Sequence, residues 1–204
     1  MVDRVDEDKR ATLRRFAALG AASPLARLAD SRQGDAESEN LSREAITGYL
    51  ATNPGAHFSK LRDDLQLGTG EAQHHLRRLL DAGAIESYRD GDYKRFYPAD
   101  RFTSFEKVAL GYLRRDTPRG MLVELLRTPD ATGADLADRL GVSRATVSKY
   151  AAELAATDLL TREDGYAVRR PESILVLLVR YADSLGDDAA ALAGEADGLV
   201  SYDP

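Results

Sequence analysis

The run TGEAQHHLRRLLDAGAIESYRDGDYKRFY, residues 69–97, places two periodicities back to back. Its first half predicts a helix over about 70–82, because a projection at about 100° per residue gathers Ala72, Leu76, Leu79 and Leu80 on one face. Its second half is a pair of β-prone stretches around Asp90-Gly91. Asp-Gly predicts a two-residue type I′ hairpin, whose central residues both need positive φ. Pairing about that turn sets Ile85 opposite Phe96 and Ser87 opposite Lys94, with apolar groups toward a core and basic groups near the tip.

Working upstream, a short helix over about 58–65 runs through a tight turn into the 70–82 helix. A first helix over about 43–52, carrying Ile46, Tyr49 and Leu50, starts at Ser42 as N-cap and ends near Pro54. Two helices joined by so short a turn, the second the longer, describe a helix-turn-helix. The hairpin that follows is its wing.

Slid against itself by 75 residues, the sequence repeats this pattern without a gap. Leu50 meets Leu125, Ala56 meets Ala131, Leu61 meets Leu136, Leu65 meets Leu140 and Leu79 meets Leu154. Ile46/Met121, Ala72/Val147 and Ile85/Leu160 fall in the same register. The second copy has helices over about 117–127, 133–140 and 144–157. Its turn Gly141-Val142-Ser143 makes Ser143 the N-cap and plugs Val142 between two helices. Its wing, Thr161 to Val168 around Asp164-Gly165, is stunted. The expected fold is mainly α with small β-hairpin wings: two consecutive winged helix-turn-helix domains plus a C-terminal helix.

The expected organisation is an N-terminal helix and flexible linker over 1–41, with Ser31 to Asn40 as linker, then a first domain over 42–101. A connecting helix follows within 102–116, with Phe105, Val108, Ala109 and Tyr112 on one face. The second domain spans 117–170, and 171–204 hold a C-terminal helix and acidic tail. Pro171 to Leu185 is apolar nearly all round, which predicts burial under the second copy or in a dimer interface. The tail from Gly186 offers nothing to DNA.

Composition narrows the chemistry. The absence of cysteine removes thiolate metal sites, disulfides and thiol sensing. A net charge of −6 argues against wholesale coating of nucleic acid, so any DNA binding has to come from a local patch. No apolar run reaches membrane-spanning length, and a cytoplasmic protein is expected. The twin arginine Arg14-Arg15 before an uncharged run to Ala26 resembles an export signal. That run is only weakly hydrophobic, and Leu13, Phe16, Ala17 and Gly20 read instead as one face of an amphipathic helix. No phosphate-binding loop, nucleotide fingerprint or nucleophile elbow is present, and Asp63-Asp64 lack a His or nucleophile partner, so no enzyme is expected. His74 and His75 point about 100° apart on a helix and lack further ligands at metal spacing. No metal or cofactor is expected.

With the repeat in place, Gly55-Ala-His-Phe-Ser-Lys-Leu61, Gln73-His-His-Leu-Arg-Arg-Leu-Leu80 and the Asp-Gly wing resemble archaeal, particularly haloarchaeal, winged helix-turn-helix regulators related to the ArsR and MarR groups. Leu140-Gly-Val-Ser-Arg-Ala-Thr-Val-Ser-Lys149 is similar to the helix-turn-helix core of many prokaryotic repressors. The resemblance covers about residues 43–182 and implies a third helix in the major groove with the wing on the DNA backbone. The ArsR-type metal cysteines are missing, and the second wing departs from the pattern.

The residues expected at DNA lie on the outward face of each third helix or beside it, with Gln73 and His75 at the flanks of that face in copy one. In copy one they are Thr69, Gly70, Glu71, Gln73, His74, Arg77 and Arg78. Gln73 suits adenine, Glu71 suits cytosine and arginine suits guanine, while Arg77 and Arg78 lie far enough along to reach phosphates. Arg89, Lys94 and Arg95 of the wing add backbone contacts. In copy two they are Ser143, Arg144, Thr146, Ser148, Lys149 and Tyr150, on a less basic face. The expected partners are double-stranded DNA and a second copy of the chain, as a homodimer on a palindromic operator. The rival reading, from a different class, is a degenerate winged-helix adaptor that binds proteins and leaves DNA unread.

Overall fold

The computed structural model describes residues 2–20 and 35–199. The chain divides into two compact units, 1–103 and 104–204.

The first unit runs α1 (Val2–Gly20), α2 (Asp35–Thr52), β1 (Ala56–His57), α3 (Phe58–Asp64), α4 (Thr69–Asp81), β2 (Ile85–Asp90) and β3 (Tyr93–Pro98). The three helices expected from the apolar spacing are α2, α3 and α4. Their core is Ile46, Tyr49, Leu50, Leu61, Leu65, Ala72, Leu76, Leu79, Ile85 and Phe96, all buried. Burying a large apolar side chain of this kind stabilises the fold by about 1.5–3 kcal/mol.

Helix α2 starts well before Ser42, which is not its N-cap but a buried interior residue. Of the expected Ser31 to Asn40 linker, 31–34 lie outside the described residues, whereas 35–40 are helical. Tertiary packing explains the longer helix: α1 lies along α2, with Leu13 and Ala17 buried and the Phe16 ring edge-on to Tyr49 at 5.2 Å. The amphipathic face expected in this segment is therefore the one that packs. The stretch 21–26 of the twin-arginine reading lies outside the described residues.

The wing has a different register from the one expected. Asp90 pairs with Tyr93, Ser87 with Phe96 and Ile85 with Pro98, so the turn residues are Gly91 and Asp92. Gly91 alone takes positive φ, at +57°, where a type I′ turn would require both. The shift of two residues keeps every side chain on its original face. A third strand, not foreseen, completes the sheet in the order β1-β3-β2, with His57 opposite Arg95.

The second unit runs α5 (Ser104–Leu113), α6 (Asp116–Arg127), α7 (Gly133–Leu140), α8 (Arg144–Ala156), β4 (Leu160–Thr161), β5 (Ala167–Val168), α9 (Pro171–Arg180), α10 (Ala182–Leu185) and α11 (Asp187–Leu199). The repeat pairs recur as core partners: Met121, Leu125, Leu136, Val147, Leu154 and Leu160 are buried as their counterparts are. Helix α7 closes on Gly141 at φ +64°, a left-handed cap that suits glycine. Ser143 Oγ then accepts the Thr146 N–H at 3.1 Å to start α8, as expected. Val142 is half-buried beside them. The wing is reduced to Leu160 opposite Val168 and Thr161 opposite Ala167.

Helix α5 packs on α6 and α9, so the expected connecting helix belongs to this unit's core, with Ala109, Leu110 and Leu113 buried. The expected Pro171 to Leu185 helix breaks at Tyr181. Apolar nearly all round as expected, it is buried on one side only, since Val176 is 60% exposed and Val179 40%. The acidic stretch after Gly186 is no loose tail: up to Leu199 it forms α11, which buries Ala189 and Leu192. Arg127 grips Glu195 at 2.8 and 2.9 Å, and Arg119 grips Asp188 at 2.7 Å.

Candidate nucleic-acid interface

Gly68, in extended conformation, starts α4, and Glu71 reaches back to accept the Gly68 N–H at 3.2 Å. That cap fixes the rotation of the helix. Ala72, His75, Leu76 and Leu79 turn inward, while Thr69, Gly70, Gln73, His74 and Arg77 are exposed over the first turns and beyond. Expected at a flank, His75 is instead fully buried, and its Nδ1 meets no hydrogen-bond partner among the described residues. Burial, then the neighbouring His74, hold its imidazole below the ordinary value.

Three of the expected DNA contacts of the first unit, Glu71, Arg78 and Arg95, are engaged with charged partners within the protein. Glu71 accepts from Lys9 Nζ at 2.8 Å and from Ser42 Oγ at 3.2 Å, besides its cap bond, so both carboxylate oxygens are in use. Burial pushes its carboxyl up, but the hydrogen bonds from Lys9 and Gly68 and the lysine's charge outweigh that and hold it below the usual range. Arg78 is exposed yet paired with Glu39 at 3.2 Å. Arg95 is the plain correction. It is only 3% exposed, ion-paired with Asp90, and donates to the Gly55 carbonyl at 3.0 Å. It stands opposite His57, where the unforeseen strand β1 adds to the edge of β3, and it is interior rather than exposed on the wing.

The remaining groups converge. Gln73 and Arg77 of α4, Lys94 of β3 and the apolar floor Phe58, Leu76 and Phe96 line one groove of about 640 Å³ between helix and wing. Lys94 leans over the Phe96 ring at 5.6 Å, which holds its ammonium at the rim. Arg89 is exposed on β2, opposite Lys94. Bidentate amide and guanidinium groups on an exposed helix face beside cations on a hairpin can read base edges and bind phosphates together.

In the second unit Arg144, Ser148 and Lys149 are exposed on α8 and Ser143 at its cap, whereas Thr146 and Tyr150 are half-buried. Thr146 Oγ1 is spent on Ser143 Oγ at 2.9 Å, and Lys149 lies over the Tyr150 ring at 5.4 Å and 3.9 Å from Glu153. Sequence reasoning missed Lys9 and Glu39, since nothing in local spacing signals that α1 and α2 reach the start and middle of α4.

Two helices in a tight turn, the second followed by an antiparallel hairpin, define a winged helix-turn-helix, and this chain carries two in tandem. Among known proteins, residues 40–110 match the family model of an N-terminal HTH domain, and residues 116–171 match that of the MarR family. Over 90 residues, 44% of this chain, the sequence is 32% identical to an uncharacterized HTH-type transcriptional regulator of Methanocaldococcus jannaschii. That match spans 22% of the relative's own length. No solved structure gives a significant match. The chain thus carries two helix-turn-helix units in tandem, of which the second is similar to the MarR family over residues 116–171.

Proposed function

We propose that the protein is a sequence-specific, DNA-binding transcription regulator that works in the cytoplasm as a homodimer. The observation that carries this reading is the exposed pair Gln73 and Arg77 on the third helix of a helix-turn-helix, lining one groove with Lys94 of the wing, with His74 exposed beside them. Helix α4 enters the major groove with Gln73 at base edges, and Arg77, which sequence assigned to phosphate, joins it there because both line the same groove. Arg89 and Lys94 grip the backbone, and Arg78 joins them when phosphate displaces Glu39. In the second unit, Arg144, Ser148 and Lys149 provide a second, weaker contact. The exposed Val176 and Val179 on α9 support assembly with another copy. That the archaeal relative is named an HTH-type transcriptional regulator is consistent with the regulatory role.

The experiment is capture of pooled genomic fragments by purified protein across a salt series, with the bound fragments sequenced. An enriched motif that survives rising salt is expected. Recovery without sequence preference at every salt, with the protein folded, refutes the reading.

A further inference from the structure

Helix α1 lies outside the helix-turn-helix, yet its Lys9 reaches the base-reading end of α4. There the ammonium meets Glu71 Oε2 at 2.8 Å, in a pair about a third exposed on each side. Glu71 stands in the first turn of α4, two residues before Gln73, and its other oxygen accepts from the buried Ser42 at 3.2 Å. A free carboxylate at this position has two consequences at DNA. It repels phosphate, and it accepts from the cytosine amine, adding cytosine to whatever the helix reads. With three of its roughly four acceptor positions taken by Lys9, Gly68 and Ser42 and its charge matched by Lys9, both consequences are suppressed.

We propose that Lys9 is a specificity-setting residue: from outside the DNA-reading motif it sequesters Glu71, so that readout is left to Gln73, His74 and Arg77. This rests on the DNA-reading function proposed above. Lys9 acts through Glu71 and is a positioning residue.

The test compares the full-length wild type with Lys9→Met, Glu71→Gln and the double variant. Each is used to select from a pool of randomised duplexes and is then titrated against the wild-type operator. Lys9→Met is expected to bind the operator about five- to tenfold more weakly, the scale of one unmatched charge near phosphate. It is also expected to select cytosine at one position where the wild type does not. In the double variant, where no carboxylate remains to be released, wild-type affinity within about twofold and the wild-type motif should return. A structural role for Lys9 would leave the selected motif unchanged in Lys9→Met, and that result overturns the proposal. So does a loss of affinity that persists in the double variant, which would mean that Lys9 touches DNA itself. Should the wild type select no motif, the DNA-reading function falls, an outcome distinct from either.

Discussion

Arg95 donates to the Gly55 carbonyl at 3.0 Å from inside the wing, tying β3 to the turn ahead of β1. Its second partner is Asp90, the last residue of β2 before the Gly91-Asp92 turn. An arginine that sequence places on a DNA-gripping wing thus holds the wing together. Removing one member of a buried charge pair leaves the other desolvated, which costs about 3–5 kcal/mol. Arg95→Met should therefore lower the urea midpoint sharply. Lys94→Ala, at the exposed rim, should change stability by less than about 0.5 kcal/mol while reducing the salt dependence of DNA binding by about one phosphate contact. Equal effects of the two substitutions on unfolding would contradict this division.

Glu39 is paired with Arg78, which the proposed function places at phosphate. The pair is half-exposed on both sides, so its own stabilising effect is small, about 0–1 kcal/mol. Glu39→Gln should leave the melting temperature nearly unchanged and tighten DNA binding severalfold, most clearly at low salt, as measured by fluorescence anisotropy. Unaltered affinity at low salt would show that Arg78 does not reach the backbone.

His75 gives stability a pH dependence. Its folded imidazole is held below the ordinary value of about 6.5 by burial first and by His74 second, with Arg43 adding to the same effect and Glu71 and Glu39 opposing it. The unfolded chain therefore takes up a proton that the folded chain refuses. The stability linked to His75 is complete above about pH 6.5 and is lost as pH falls through the lowered folded value. His75→Leu also removes the unpartnered Nδ1, so at pH 7 it should be neutral or up to about 1 kcal/mol more stable. Its denaturation midpoint should fall less than wild type between pH 7 and pH 5. A parallel decline in both proteins would show that other groups dominate.

The fold was legible in the sequence where apolar spacing is local. The 75-residue repeat carried the core of both helix-turn-helix units, because Leu61/Leu136 and Leu79/Leu154 must be buried wherever such a helix packs. The hairpin was legible too, but not its register. Asp90-Gly91-Asp92 admits either dipeptide as the turn, and two registers that differ by two residues bury the same faces. What local pattern could not supply was long-range pairing. β1 is two residues long, too short to announce itself, yet the turn ahead of it supplies the Gly55 carbonyl that holds Arg95 inside. The reach of α1 to Glu71 spans 62 residues of chain and leaves no trace in spacing. Outward-facing groups such as Gln73, His74, Arg77 and Lys94 were legible because a helix face and a strand face are fixed by periodicity alone.

The central claim is that α4 reads bases, and the most direct measurement is the affinity of wild type and Arg77→Ala for the recovered operator and for a scrambled duplex at matched salt. If Arg77 touches a base edge, Arg77→Ala should lose about 1–3 kcal/mol on the operator and much less on the scrambled sequence. An equal loss on both, or none on either, would contradict the account.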